Sequence, residues 1–256
     1  MYMENNENGK KNEKNISRRD FLKTSGVATG ALIGGGLIGG LVGYNMNKDD
    51  SPTNKTARKD EHGSQADQGW QFFRTSREFD IIANATERIF PEDDLGPGAI
   101  ALGVPYFIDS QLAGQYGSNS KEYMQGPFDV GAPTQGYQSR LTRSEIFRQG
   151  IETLEAEANK RFDNGFSSLE GAQMDEILTA LQKDEIKMSG VTSTFFFKLL
   201  RTATLEGAYS DPMYKGNINM DGWRMKGFPG HQMAYINEIE NEKFQKIEPQ
   251  SLGGMH

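Results

Sequence analysis

Glu92, Asp93 and Asp94 stand side by side in an acidic stretch that continues Leu95-Gly96-Pro97-Gly98. Carboxylates grouped in this way can ligate a metal or act as paired acid–base groups. The D-x-D-x-D-G spacing of a calcium loop is absent, however, and a solvated turn that ends a helix accounts for the cluster. The triplet Phe195-Phe196-Phe197 has the ring area to hold a flavin or a quinone, but at helical spacing it reads as core. Gly34, Gly36 and Gly39 fit G-x-G-x-x-G. No strand precedes them and no amphipathic helix follows, so they make no dinucleotide site.

Composition narrows the chemistry further. The chain has no cysteine, which excludes a disulfide framework, a covalent haem, a Cys-ligated iron–sulfur cluster and a lipoprotein anchor. Its imidazoles are His62, His231 and His256, too far apart in sequence to pair on one helix face. No cofactor or metal is therefore expected in this chain. Net charge is −7, and residues 1–25 carry six Lys/Arg against four Asp/Glu, leaving −9 on the remainder. Such a surface repels phosphate backbones, so nucleic acid is not an expected partner.

One run carries aromatic residues on a glycine-rich backbone. It reads Gly207-Ala208-Tyr209-Ser210-Asp211-Pro212-Met213-Tyr214-Lys215-Gly216-Asn217, then Gly222-Trp223 and Gly227-Phe228-Pro229-Gly230. A loop of about 24 residues without regular structure is uncommon in a small domain unless it serves a function. Aromatic side chains on it suit a recognition surface, because they bury much area at low entropic cost. Tyr209, Asp211, Pro212, Asn217, Trp223 and Phe228 are the candidates to touch a partner or to shape that surface. The alternative is an Ω-like loop packed on its own domain.

The elements that must position this run read as helices. Thr75 and Glu78 have capping-box spacing, with Phe79, Ile82, Ala83, Thr86, Ile89 and Phe90 on one face before Pro91. A second helix starts at Pro105 and buries Tyr106 or Phe107, Ile108 and Leu112. Thr142 and Glu145 offer another box, and the stripe Phe147, Ile151, Leu154, Ala158, Phe162 stops at Gly165. Met174, Ile177, Leu178 and Leu181 mark a fourth helix, and Phe195, Phe196, Leu199, Leu200 and Ala203 a fifth. Residues 126–136 form a Gly-, Pro- and Gln-rich loop. Alternating strand patterns are scarce, so the predicted class is mostly α. It is one helical domain over 69–246, with 247–256 as a tail.

The N-terminal quarter reads differently. Residues 1–16 are chiefly Asn, Glu and Lys, a disordered leader. Ser17-Arg18-Arg19-Asp20-Phe21-Leu22-Lys23 then matches every position of S-R-R-x-F-L-K, and an uncharged Gly-rich run follows over 26–44. Together they resemble a bacterial twin-arginine export signal. In that pattern Ser17, Arg18, Arg19, Phe21, Leu22 and Lys23 address the translocon. The apolar run is 19 residues long, near the roughly 20 that span a bilayer. No A-x-A site closes it, which leaves open an uncleaved membrane anchor or cleavage at an unusual site. Residues 45–68 are polar enough to be a disordered linker between membrane and domain.

Four stretches carry a family resemblance. They are Arg18-Arg19; Glu87-Arg88-Ile89-Phe90-Pro91 with Asp93-Asp94-Leu95-Gly96-Pro97-Gly98-Ala99; Tyr123 with Gly126-Pro127; and the run from Thr204-Leu205-Glu206-Gly207 to Phe228-Pro229-Gly230. On these the sequence resembles the gluconate 2-dehydrogenase subunit 3 family, small subunits of exported flavin-dependent sugar and sugar-acid dehydrogenases. Lys215 departs from the family pattern, which usually has a glycine there.

The resemblance implies an accessory role. Such subunits bind a large flavoprotein that lacks its own signal, assist its maturation and carry it through the twin-arginine pore. FAD then belongs to that large subunit, which performs the oxidation and sets the substrate. Electrons pass on to a cytochrome or another acceptor. The resemblance brings no catalytic residue to this chain. Two other readings are a stand-alone exported envelope protein on the same fold, and an enzyme using Glu92, Asp93 and Asp94.

Overall fold

A computed structural model of the chain describes residues 69–254 apart from 130, 133 and 237. The twin-arginine residues Ser17, Arg18, Arg19, Phe21, Leu22 and Lys23, the 26–44 segment and the 45–68 linker lie outside the described residues. Among the described residues no helix is long and apolar enough to cross a membrane.

Thr75 starts the first helix, α1 (Ser76–Ile89), its side chain accepting from the Glu78 amide at 3.2 Å. The reciprocal half of the expected box is displaced by one residue: the Glu78 carboxylate takes the Arg74 amide at 2.8 Å. α2 (Val104–Ala113) places Pro105 in its first turn, where a missing N–H costs nothing. α3 (Arg143–Phe162) has the full box between Thr142 and Glu145. It stops at Phe162 rather than Gly165, because Asp163 takes the left-handed cap (φ 52°) that a glycine was expected to supply. α4 (Gly171–Gln182) and α5 (Ser193–Tyr209) follow, the latter capped by Thr192. A short α6 (Asp221–Lys226) completes the set. The described residues contain no strand, only isolated bridges, so the fold is all-helical as predicted.

α5 packs against all five other helices, and α1 against α2 to α5. Their shared core includes Ile82, Phe90, Leu154, Ile177, Phe196 and Leu200, all essentially inaccessible to solvent. Burying each such side chain contributes roughly 1.5–3 kcal/mol. Phe147 and Phe196 meet edge-on at 5.7 Å. Gly150 of α3 makes room for that contact, since a Cβ there would lie 2.1 Å from the Phe196 ring. The Phe195 triplet is thus divided: Phe196 and Phe197 are core, and Phe195 packs at its margin against Tyr137.

Two polar ties fix the frame. Arg88 of α1 and Asp175 of α4 make a two-pronged ion pair at 2.7 and 2.8 Å. Asp109 of α2, almost fully buried, accepts the amides of Gln71, Phe72 and Phe73 at 2.8 to 3.0 Å. That carboxylate pins the start of the domain, and Phe72 and Phe73 join the core beside it.

Candidate docking surface

α5 runs to Tyr209, so the glycine- and aromatic-rich run begins as helix. Beyond it the chain is not the structureless loop its composition predicts. It forms 3-10 turns at Pro212–Tyr214 and Ile218–Met220 and then α6. Lys215, Asn217, Asn219 and Met220 all take left-handed conformations, with φ from 50 to 73°. Such a succession folds tightly without any periodicity to betray it.

Half of the predicted surface residues turn inward. Asn217 is fully buried; its Nδ2 donates to the Ser210 carbonyl at 2.8 Å and its Oδ1 accepts the Gly222 amide at 2.7 Å. Gly222 cannot carry a side chain, because a Cβ would stand 1.9 Å from the Ala208 carbonyl oxygen. Trp223 is buried next to it, its indole N–H donating to the Tyr209 carbonyl at 2.8 Å. The half-buried Tyr209 ring meets Phe90 edge-on at 5.8 Å and the Lys226 ammonium at 5.2 Å. Tyr209, Asn217 and Trp223 therefore bind the segment to its own domain and shape the surface from beneath, as in a packed loop. Phe228 is exposed and rests edge-on against Trp223 at 5.4 Å. Half-buried Pro212 opens the first turn, leaving Met213 and Tyr214 exposed beside it.

Asp211 ties this platform to the far end of the chain. Its Oδ1 accepts the Met213 amide at 3.0 Å and the Ser251 hydroxyl at 2.5 Å, and its Oδ2 accepts the Leu252 amide at 2.9 Å. Burial opposes its ionisation, but these hydrogen bonds and the nearby His231 prevail and hold the carboxyl below its ordinary range. Pro249 is buried, and Gln250 pairs with Pro229 and His231 through backbone bonds of 3.1 and 2.8 Å. The boundary expected at 246 thus falls inside the domain, and the 249–254 stretch is not a free tail.

The acidic turn is a turn. Asp93 and Gly96 exchange backbone bonds, the Asp93 side chain accepts the Leu95 amide at 2.9 Å, and Glu92 and Asp94 face solvent. Among the described residues no group of three or more His, Asp or Glu could hold a metal. Tyr123 is exposed, and Gly126-Pro127 lies in the expected loop.

One cluster escaped the sequence reading. The Arg143 guanidinium lies between the rings of Tyr116 and Tyr137, at 4.5 and 4.7 Å, and bonds Glu122 at 2.8 Å. The Arg143 amide donates to buried Asn119 at 2.9 Å. Burial and then the Glu206 charge push the Tyr116 hydroxyl up to about 12. These contacts lash the 114–141 loop to α3 beside a shallow cleft of about 470 Å³. Only long-range packing brings them together, so no local pattern announces them.

Fold and surface together define an all-helical domain whose C-terminal turns form a packed platform, in a chain with an export-type N-terminus. The sequence profile of gluconate 2-dehydrogenase subunit 3 matches residues 76–230, and that of the twin-arginine translocation pathway signal sequence matches residues 15–34. The chain belongs to the gluconate 2-dehydrogenase subunit 3 family and carries a signal for twin-arginine export out of the cytoplasm. The family match begins at the first residue of α1 and ends at Gly230. No curated protein and no solved structure matches the chain.

Proposed function

We propose that this chain is the non-catalytic small subunit of a membrane-associated, FAD-dependent sugar or sugar-acid dehydrogenase. It binds the flavoprotein large subunit and escorts it through twin-arginine export. The flavin resides in the large subunit, which oxidises the substrate and passes electrons to a cytochrome or another acceptor subunit. The N-terminal segment keeps the complex at the extracytoplasmic face of the membrane. The observation that carries this reading is the presence, in one chain, of the family domain over 76–230 and the export signal over 15–34. The absence of cysteine supports it, since the chain cannot supply a Cys-ligated cluster or a covalent haem of its own.

The test is a pull-down of the tagged full chain from its host's membranes, with a flavin absorbance scan and mass identification of what co-purifies. A stoichiometric yellow large subunit that stays in the cytoplasm when Arg18 and Arg19 are both changed to Lys supports the escort role. A colourless, solitary chain sinks it and leaves a stand-alone envelope protein.

A further inference from the structure

Between α3 and α4 the chain turns at Asp163-Asn164-Gly165, and Asn164 is placed there for attack on its own side chain. Among the described residues it is the one asparagine followed by glycine. With no Cβ, that glycine leaves its peptide nitrogen unshielded. Asn164 is exposed and Gly165 half-buried. The Gly165 amide stands outside the helix ladder and donates to the Oδ1 of Asn164 itself at 2.9 Å. The carbonyl carbon, one bond from that oxygen, is thereby folded back toward the nitrogen that would attack it, which replaces a conformational search. Other asparagines are set differently. Asn119 and Asn217 are buried, and Asn84 and Asn159 lie inside α1 and α3, where the next amide is committed to a carbonyl four residues back.

We propose that Asn164 is a site of spontaneous deamidation, closed into a succinimide by the Gly165 nitrogen and reopened by water. The Gly165 N–H gives its proton to hydroxide, and the nitrogen attacks Asn164 Cγ. The bond from Cγ to Nδ2 breaks, and Nδ2 takes a proton from water and leaves as ammonia. Water then opens the ring at one of its two carbonyls. Breaking the new Cγ–N bond gives aspartate. Breaking the original peptide bond gives isoaspartate, with the chain running through Cγ. Water and hydroxide are the co-reactants, and nothing is oxidised or reduced.

The change disturbs groups that hold this turn. Asn164 Nδ2 donates to the Ser168 carbonyl at 3.4 Å, a bond that a carboxylate cannot make. Glu155 reaches the same turn: its carboxylate accepts the Phe166 amide at 3.0 Å and pairs with Arg77, and a Cβ on Gly165 would lie 3.0 Å from its Oε1. A carboxylate at position 164 adds like charge beside it. Phe166, two residues on, is fully buried, so an isoaspartate that lengthens the backbone pulls against an anchored ring. The conversion loosens the connection between α3 and α4 and adds a negative charge to the −7 of the chain.

The test ages the full folded chain at mildly alkaline pH and follows its peptides by mass spectrometry, with isoaspartate told from aspartate by fragmentation. Asn8-Gly9, the other Asn-Gly pair of the sequence, is the reference in the same sample. The expected result is that Asn164 exchanges NH₂ for OH at least tenfold faster than Asn84 and Asn159, at a rate that rises with pH. Asn164→Gln, whose carbonyl stands one carbon too far to close the same ring, should abolish the change at this peptide while Asn8 still converts. Converted chains, separated by their added charge, should melt about 2–4 °C below unconverted ones. Conversion of Asn8 with Asn164 no faster than the two helical asparagines means that the native turn protects the side chain, and overturns the proposal. An unchanged melt of the converted chains overturns the loosening of the turn.

Discussion

Asp211 and Ser251 lie 40 residues apart in sequence and meet at 2.5 Å, the hydroxyl donating to the carboxylate. Through that contact the platform after α5 and the last described turn become one structure. A sequence boundary drawn at 246 separates two segments that share their main hydrogen-bonding hub.

Replacing Asp211 by Ala leaves the Ser251 hydroxyl and the Met213 and Leu252 amides without their acceptor. The expected cost is about 1–2 kcal/mol, felt locally at the 231–249 segment, an arm between the Gly230 and Gln250 pairing. Limited proteolysis should show faster cleavage within 231–249 while the helical core stays intact. The pH dependence follows from the lowered carboxyl. A depressed folded-state value means that the stabilisation is present in full above about pH 4, the unfolded range, and is lost as pH falls through the lower folded value. An acid-active protease should therefore cut the wild-type arm more readily at low pH, with the dependence flattened in Asp211→Asn. Acid-insensitive cleavage of the wild type would show that Asp211 does not hold the arm.

Asp109 is the corresponding tie at the other end of the domain. Asp109→Ala strands the amides of Gln71, Phe72 and Phe73 in a buried setting, a loss on the order of 3 kcal/mol. Asp109→Asn keeps an acceptor for Phe72 and Phe73 but turns an NH₂ group toward the Gln71 amide, for about half that loss. Denaturant midpoints should fall from wild type to Asp109→Asn to Asp109→Ala. Amide exchange at 71–73 should accelerate in both variants; unchanged protection would mean that other contacts secure this segment.

Gly150 and Phe196 test the helix packing directly. Gly150→Ala improves helix propensity by about 1 kcal/mol but drives a Cβ to 2.1 Å from a fully buried ring, with an overpacking cost of about 1–3 kcal/mol. The net expectation is destabilisation. Phe196→Leu, made in the Gly150→Ala background, should cost less than it does alone. Additive losses in that double-mutant cycle would refute the proposed close contact.

Much of this fold is legible in the sequence because helices advertise themselves locally. The Thr75 and Thr142 caps, the Phe147 to Ala158 stripe and the Met174 to Leu181 spacing each specify an element within a few residues. The 207–230 run was legible as special but not as structured. Its order comes from left-handed Asn217 and Asn219 and from a Trp223 indole bonded back to Tyr209, none of which has a period. The surface at that end was harder still. Trp223 looks like a contact residue in sequence and is buried, whereas Ile236, Ile239 and Phe244 look like ordinary apolar residues and are exposed. Exposure depends on whether the rest of the chain returns to cover a side chain, and residue type alone does not decide that.

Lys215 holds a backbone conformation that favours glycine, and the structure gives that a consequence. Its backbone is left-handed (φ 73°, ψ −2°), with its amide donating to the Pro212 carbonyl at 2.9 Å to close the 3-10 turn. A residue with a Cβ held there costs roughly 1–2 kcal/mol relative to an unstrained conformation. Lys215→Gly relieves that strain but gains unfolded-state freedom of about 0.4–1 kcal/mol, so the net effect is a small stabilisation. Lys215→Val meets the same strain with a β-branched side chain and should lower stability by about 1–2 kcal/mol. Thermal melts of the three proteins should rank Gly at or slightly above Lys and Val clearly below, with about 2–4 °C for each kcal/mol in a domain of this size. A Lys215→Gly protein that melts well below the wild type would mean that the lysine side chain contributes more than its backbone costs.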